Sequence, residues 1–181
     1  MKSKIDQDHN LAKVACMKES GMGLCFLEMV GFGKMTFVVS VDMTKDNFNL
    51  SPLHCAAKNG HFKTFRILIN SIKEKNPEDS YGHTPLHYAA TNGSYKICRT
   101  ILKIVEEKNP KAPQTGITPL HYAAQEGHYA ICKLILENIE EKEPKNNKNM
   151  TPLDVAQICG HSAIVKLMKS FRSNDDVIVL D

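Results

Sequence analysis

The sequence predicts an all-α solenoid, a stack of helix–turn–helix repeats, and three observations carry that prediction. The segments "SPLHCAAKNGH", "TPLHYAATNGS", "TPLHYAAQEGH" and "TPLDVAQICGH" begin at residues 51, 84, 118 and 151, at intervals of 33, 34 and 33. Pro52, Pro85, Pro119 and Pro152 keep that register, as do Gly60, Gly93, Gly127 and Gly160. A second apolar stripe at helical spacing follows each glycine. A fixed period of this length marks units that cannot bury their apolar face alone and must stack.

Each element has a local cause. Ser or Thr before Pro starts a first helix: the hydroxyl caps an orphan N–H and Pro sits at the first helical position. His54, His87, His121 and Asp154 lie three residues after the cap, where a side chain can reach back as in a capping box. Ala-Ala in mid-helix gives high propensity and a small cross-section. The glycine nine residues after the cap ends the helix in a left-handed turn. The second helix carries Ile97, Cys98, Ile101, Leu102 and Val105 in one repeat and Ile131, Cys132, Ile135, Leu136 and Ile139 in the next. It is expected to run out at "KNP", "KNP" and "KEP", because the residue before Pro77, Pro110 or Pro144 is pushed out of the α region. A short loop then returns through Asn49, Gly82, Gly116 or Asn149, residue types that tolerate positive φ. The one extra residue of the 34-residue interval falls between Pro110 and Thr118.

Helix–turn–helix–loop units of this length, opening on "TPLHYAA", resemble the ankyrin repeat family over residues 47–171. The resemblance implies three clear repeats, a C-terminal cap repeat and a concave binding face. In place of the family's Gly-Ala-Asp after the second helix stand charged stretches such as "IKEKNPED" and "VEEKNPKAP", which predict a second helix about one turn longer than usual. In the last repeat Asp154 and Gln157 replace His and Ala. Lys169 stands where Ile69, Leu102 and Leu136 stand in the others, as suits a terminal repeat with nothing stacked beyond it.

The ends read differently. Residues 1–46 are an irregular N-terminal segment that does not match the repeat; a degenerate capping repeat, two short helices about Gly21, is the favoured reading. Ala15-Cys16 would echo Ala-Ala, and Leu24, Leu27 and Met29 would form an apolar face. "MTFVVSV" has strand-like content and no counterpart in the family. "GFGK" is no phosphate loop, because Glu28 and Met35 occupy positions that need Gly and Ser or Thr. Residues 172–181 form an acidic and apolar tail. Within it Val177, Ile178, Val179 and Leu180, flanked by Asp175, Asp176 and Asp181, look like a SUMO-interacting motif, which adds a strand to the modifier's sheet edge. A frayed terminus, or a strand docked on its own domain, fits the same residues. The chain also fits a fragment of a longer ankyrin array.

Composition sets limits. A formal charge of +3 is small for a nucleic-acid footprint, so nucleic acid is not an expected partner. The apolar stretch 21–41 is broken by Glu28 and Lys34, which argues against a membrane span or signal peptide. Six cysteines without a C-x₂-C pair suggest a reduced cytoplasmic or nuclear setting rather than disulfides or a metal site. Catalysis needs groups converging on one pocket, whereas His87-Tyr88 and His121-Tyr122 recur at the repeat period. The expectation is therefore no enzyme, no cofactor and no metal. Cys98 and Cys132 read as small buried hydrophobes, and His61, His128 and His161 as helix-start residues bonded to local backbone.

The resemblance places partner contacts on loop tips and on the exposed side of the first helices. The loop candidates are Ser80, Tyr81 and His83; Gln114, Thr115 and Ile117; and Lys148 and Met150. Lys58, Asn59, Thr91, Asn92, Gln125 and Glu126 are the first-helix candidates. Tyr88 and Tyr122 are expected to be part core and part surface. Tyr81, Ile117 and Met150 are the expected apolar anchors, though each could instead pack on a neighbouring loop. The implied function is recognition of an intracellular protein partner by a monomeric adaptor or masking inhibitor.

Overall fold

The structure, a computed structural model, describes residues 27–28, 40–41 and 48–175, the side chains only within 48–172. Among the described residues eight helices alternate along the array. The first helices of the repeats are α1 (Pro52–Lys58), α3 (Pro85–Thr91), α5 (Pro119–Gln125) and α7 (Pro152–Ile158). The second helices are α2 (Phe62–Ser71), α4 (Tyr95–Ile104), α6 (Tyr129–Leu136) and α8 (Ser162–Asp175). First helices stack on first helices and second on second, from one repeat to the next. Leu53, Leu86 and Leu120 and the three Ala-Ala pairs are buried where first helices meet, and Ile97, Ile101, Ile131 and Ile135 fill the layer beneath the second helices.

The four first helices begin as expected, with Pro at the first position and a capping box at each start. The histidines do more than brace the cap. Nδ1 of His54, His87 and His121 accepts the backbone N–H of Ser51, Thr84 and Thr118 at 3.0, 2.9 and 3.2 Å. That bond needs a lone pair on Nδ1, so the proton sits on Nε2. Nε2–H then donates to the carbonyl of His83, Ile117 or Met150 in the next repeat, at 3.0, 3.3 and 3.0 Å. One neutral imidazole thus closes its own helix start and ties it to the following hairpin.

His128 and His161 also act between repeats, correcting the expectation of purely local bonds. Their Nε2 atoms bond the carbonyls of Thr91 (3.1 Å) and Gln125 (2.9 Å) in the preceding repeat. Each ring lies over a left-handed glycine. A Cβ on Gly127 (φ +78°) would stand 2.7 Å from Cε1 of His161, whereas one on Gly160 (φ +77°) would meet nothing. Gly127→Ala is therefore expected to cost about 2–3 kcal/mol in urea denaturation, and Gly160→Ala only the backbone term of about 1–2 kcal/mol. Equal losses would refute the steric part of this account.

The second helices end earlier than the prolines predict. They stop at Ser71, Ile104 and Leu136, and the lysine before each "NP" or "EP" provides the reason. Lys75 Nζ donates to the carbonyls of Ile69 and Ile72, and Lys108 Nζ to those of Leu102 and Val105. Lys142 Nζ does the same for Leu136 (2.6 Å) and Ile139. The ammonium satisfies terminal carbonyls at the negative end of the helix dipole, so no additional turn forms.

At the C-terminal end α8 continues to Asp175, through residues expected to start the tail. Lys169 and Gln157 are exposed on the last repeat, where their counterparts Ile69, Leu102, Leu136 and the second alanine of each pair are buried. At the other end Leu27–Glu28 (β1) pairs antiparallel with Ser40–Val41 (β2), so Leu27 lies on a strand and not on the helix expected there. The remaining expectations for residues 1–46, and Val177, Ile178, Val179 and Leu180, lie outside the described residues. None of the described helices is long and apolar enough to cross a membrane.

Candidate functional site

The hairpins that join the repeats are built on Asp79, Ala112 and Asn146. The backbone N–H of each bonds the carbonyl of His83, Ile117 or Met150, at 3.0 Å in all three. The extra residue of the longer interval therefore lies inside the Ala112–Ile117 hairpin. In the other two a side-chain oxygen organises the turn. Asp79 Oδ1 accepts the N–H of Tyr81 and of His83 at 2.8 Å each, and Asn146 Oδ1 accepts those of Lys148 (2.9 Å) and Met150 (3.0 Å).

Asp79 alone has a second oxygen to spend, and it points at the first helices. Oδ2 accepts the Tyr88 hydroxyl at 2.7 Å and lies 3.5 Å from His83 Nδ1. Nε2 of His83 lies 3.1 Å from the Tyr122 hydroxyl of the next repeat. The rings pack edge-on, His83 to His87 at 5.1 Å and His83 to Tyr122 at 5.8 Å between centroids. Burial pushes the Asp79 carboxyl up. Hydrogen bonds from Tyr88 and from the His83 and Tyr81 backbone, with the nearby His83 charge, outweigh it and hold the group below the usual carboxylate value.

Above this network opens a cleft of about 340 Å³, lined by Lys58, His83, His87, Tyr88, Thr91, Asn92 and Tyr122. Lys58 ends α1, Tyr88 and Thr91 stand on α3, and Tyr122 on α5, so three repeats contribute. Six of the seven residues are among those expected from the sequence. The seventh, His87, was read as purely structural. Asp79 was missed altogether, because neither Ala112 nor Asn146 repeats its charge.

This helical stack, register and set of capping boxes agree with the family model for ankyrin repeats (3 copies), which matches residues 14–112 and 104–177. The chain belongs to the ankyrin-repeat family. No curated protein matches it at the threshold of significance. Ankyrin repeats are in general protein–protein interaction modules.

The other expected contacts fall outside the cleft. Tyr81 is 46% exposed and stacks on Phe48 at 6.5 Å. Ile117 and Met150 do not stand at the exposed tips that their positions suggested. They sit half-buried at the hairpin base, their carbonyls bonded to His87 and His121. Ser80, Gln114 and Thr115 hold neighbouring hairpins together. The Gln114 amide donates to the Ser80 carbonyl (3.3 Å), and the Asn147 N–H donates to the Thr115 carbonyl (2.9 Å). Asn59, Gln125, Glu126 and Lys148 are exposed in the ankyrin array but do not line the cleft.

Proposed function

We propose that the protein binds an intracellular protein partner through this cleft and the first-helix surface around it, as an adaptor or a masking inhibitor. The carrying observation is the Tyr88–Asp79–His83–Tyr122 network. It fixes two tyrosines and a histidine as a rigid floor spanning successive repeats, with Lys58, Thr91 and Asn92 at the rim. Rigid aromatic groups with a polar tip bind at low entropic cost.

The Asp79–His83–Tyr122 string has the order of a catalytic relay, and its details favour binding. The Asp79–His83 separation of 3.5 Å is too long for an orienting hydrogen bond, and Oδ2 is already held by Tyr88. Burial, with Asp79 nearby, pushes the Tyr122 hydroxyl up, opposite to activation of a nucleophile. Burial also pushes the Cys98 and Cys132 thiols up to about 12, which makes them unreactive.

Thr91→Arg places a long cation over the cleft from an exposed position and should leave the fold intact. It is expected to weaken a purified partner's affinity at least tenfold, about 1.4 kcal/mol, in titration calorimetry. Unchanged affinity would place the interface elsewhere.

A further inference from the structure

The sequence average of +3 conceals a segregation of charge. Helices α2, α4, α6 and α8 carry two, three, one and three basic residues, and their one acid is Asp175 at the very end. Arg66, Arg99, Lys133 and Lys166 occupy the same repeat position and are all exposed, on the side opposite the buried stripe of each helix. One turn earlier on the same face stand Tyr95 and Tyr129, 41% and 45% exposed, and at the same position of the first repeat Phe62, partly buried against the core. Lys96 reaches back over the Phe62 ring at 5.9 Å, and Lys133 lies 3.9 Å from Glu137. Arg66, Arg99 and Lys166 form no ion pair among the described residues.

We infer that this outer face of the second helices is a second docking surface, and that its occupant is an extended acidic segment of a partner protein crossing the helices. Packed helices lie about 8–10 Å apart, so a strand at 3.3–3.6 Å per residue meets one cation about every three residues. Tyrosine and arginine are among the side chains most enriched in interface hot spots, and here an aromatic row and a basic row run side by side. A second periodic row, Glu74, Glu107 and Glu141, stands exposed in the loops just past the ends of α2, α4 and α6, with Glu141 paired to Lys111 at 3.4 Å. That acidic edge leaves a lane for a single strand and repels a wide anionic surface such as a bilayer or a duplex.

The test uses the full chain and three probes: a fluorescein-labelled peptide with glutamate at every third position, a single-stranded RNA oligomer of equal length, and phosphatidylserine vesicles. Peptide anisotropy should rise saturably and weaken as salt shortens the screening length. Arg66→Glu with Arg99→Glu should weaken peptide binding at least tenfold while circular dichroism is unchanged. Thr91→Arg, at the cleft, should leave it unaltered, which separates this surface from the proposed cleft. Tyr95→Ala with Tyr129→Ala should weaken binding without changing its salt dependence. Peptide binding indifferent to the charge reversal, or tighter binding of RNA or vesicles than of peptide, would overturn the inference.

Discussion

Replacing His87 with alanine is expected to lower the unfolding free energy by about 3 kcal/mol, measured by urea denaturation at neutral pH. The Thr84 N–H, fully buried, would lose its only acceptor, and an orphaned buried donor costs about 1–3 kcal/mol. The bond to the Ile117 carbonyl goes too, although that carbonyl keeps the Ala112 N–H as donor. The emptied imidazole volume adds a cavity term. Against a domain stability of about 5–15 kcal/mol this is a severe lesion, and its position in the middle of the stack uncouples the repeats on either side. His87→Gln should recover part of the loss, since glutamine can close a capping box but lacks the reach to the next hairpin. A loss below about 1 kcal/mol for His87→Ala would mean that these imidazoles are not the ties described.

Acidification is expected to unfold the array well before its carboxylates titrate. Burial, with repulsion from His83, pushes His87 down to about 3, and burial, offset in part by the Met150 bond, also lowers His121. A histidine depressed in the folded state is neutral there and protonated in the unfolded chain below its ordinary value of about 6.5. Stability is therefore fully present above that value and falls as pH drops from about 6.5 toward the folded value near 3. The slope is about 1.4 kcal/mol per pH unit for each such group. Protonation would also remove the Nδ1 lone pair that closes the cap. Asp79 and Asp154, both held below the usual carboxylate value, lose their stabilisation only below about 3.8, a separate and lower window. Thermal melts from pH 7.5 to 4 should show a steep fall in the midpoint, flattened in His87→Gln. A midpoint unchanged between pH 7 and 4.5 would contradict the neutral, buried assignment.

These two predictions show where the sequence was transparent and where it was not. Thr-Pro, the positive-φ glycines and the residue three after the cap are local signals, each read from neighbours a few positions away. What those residues do across repeats is not local. The same spacing that puts His87 at a capping position also aims Nε2 at Ile117, thirty residues on, and no pairwise pattern reveals that. His128 and His161 were misplaced for the same reason. The early stop of α2 depends on Lys75 folding back onto Ile69 and Ile72, a contact that competes with the more conspicuous proline after it.

The cleft divides in the same way. Lys58, Thr91 and Asn92 follow from the family resemblance, which places contacts on the exposed side of the first helices. Asp79 breaks the repeat instead of obeying it, and a reading tuned to recurrence passes over the one charged hairpin base. The available signal was an Asp five residues before a cap, with Gly82 closing the turn between them. Net charge misled by averaging, since the basic rows on the second helices and the acidic edge beside them cancel in the sum.

The cleft over Asp79, between Lys58, Tyr88 and Tyr122, is where we propose that a protein partner sits. Site-specific photo-crosslinking tests it most directly, with benzoylphenylalanine placed at Thr91 or, as a control, at exposed Glu140 on the far edge of the array. A discrete protein adduct is expected from position 91 that disappears when Lys58→Glu is added, and from position 140 none that survives Arg66→Glu with Arg99→Glu. Adducts of equal yield from both positions in that double variant, or from position 140 alone, would contradict the proposed site.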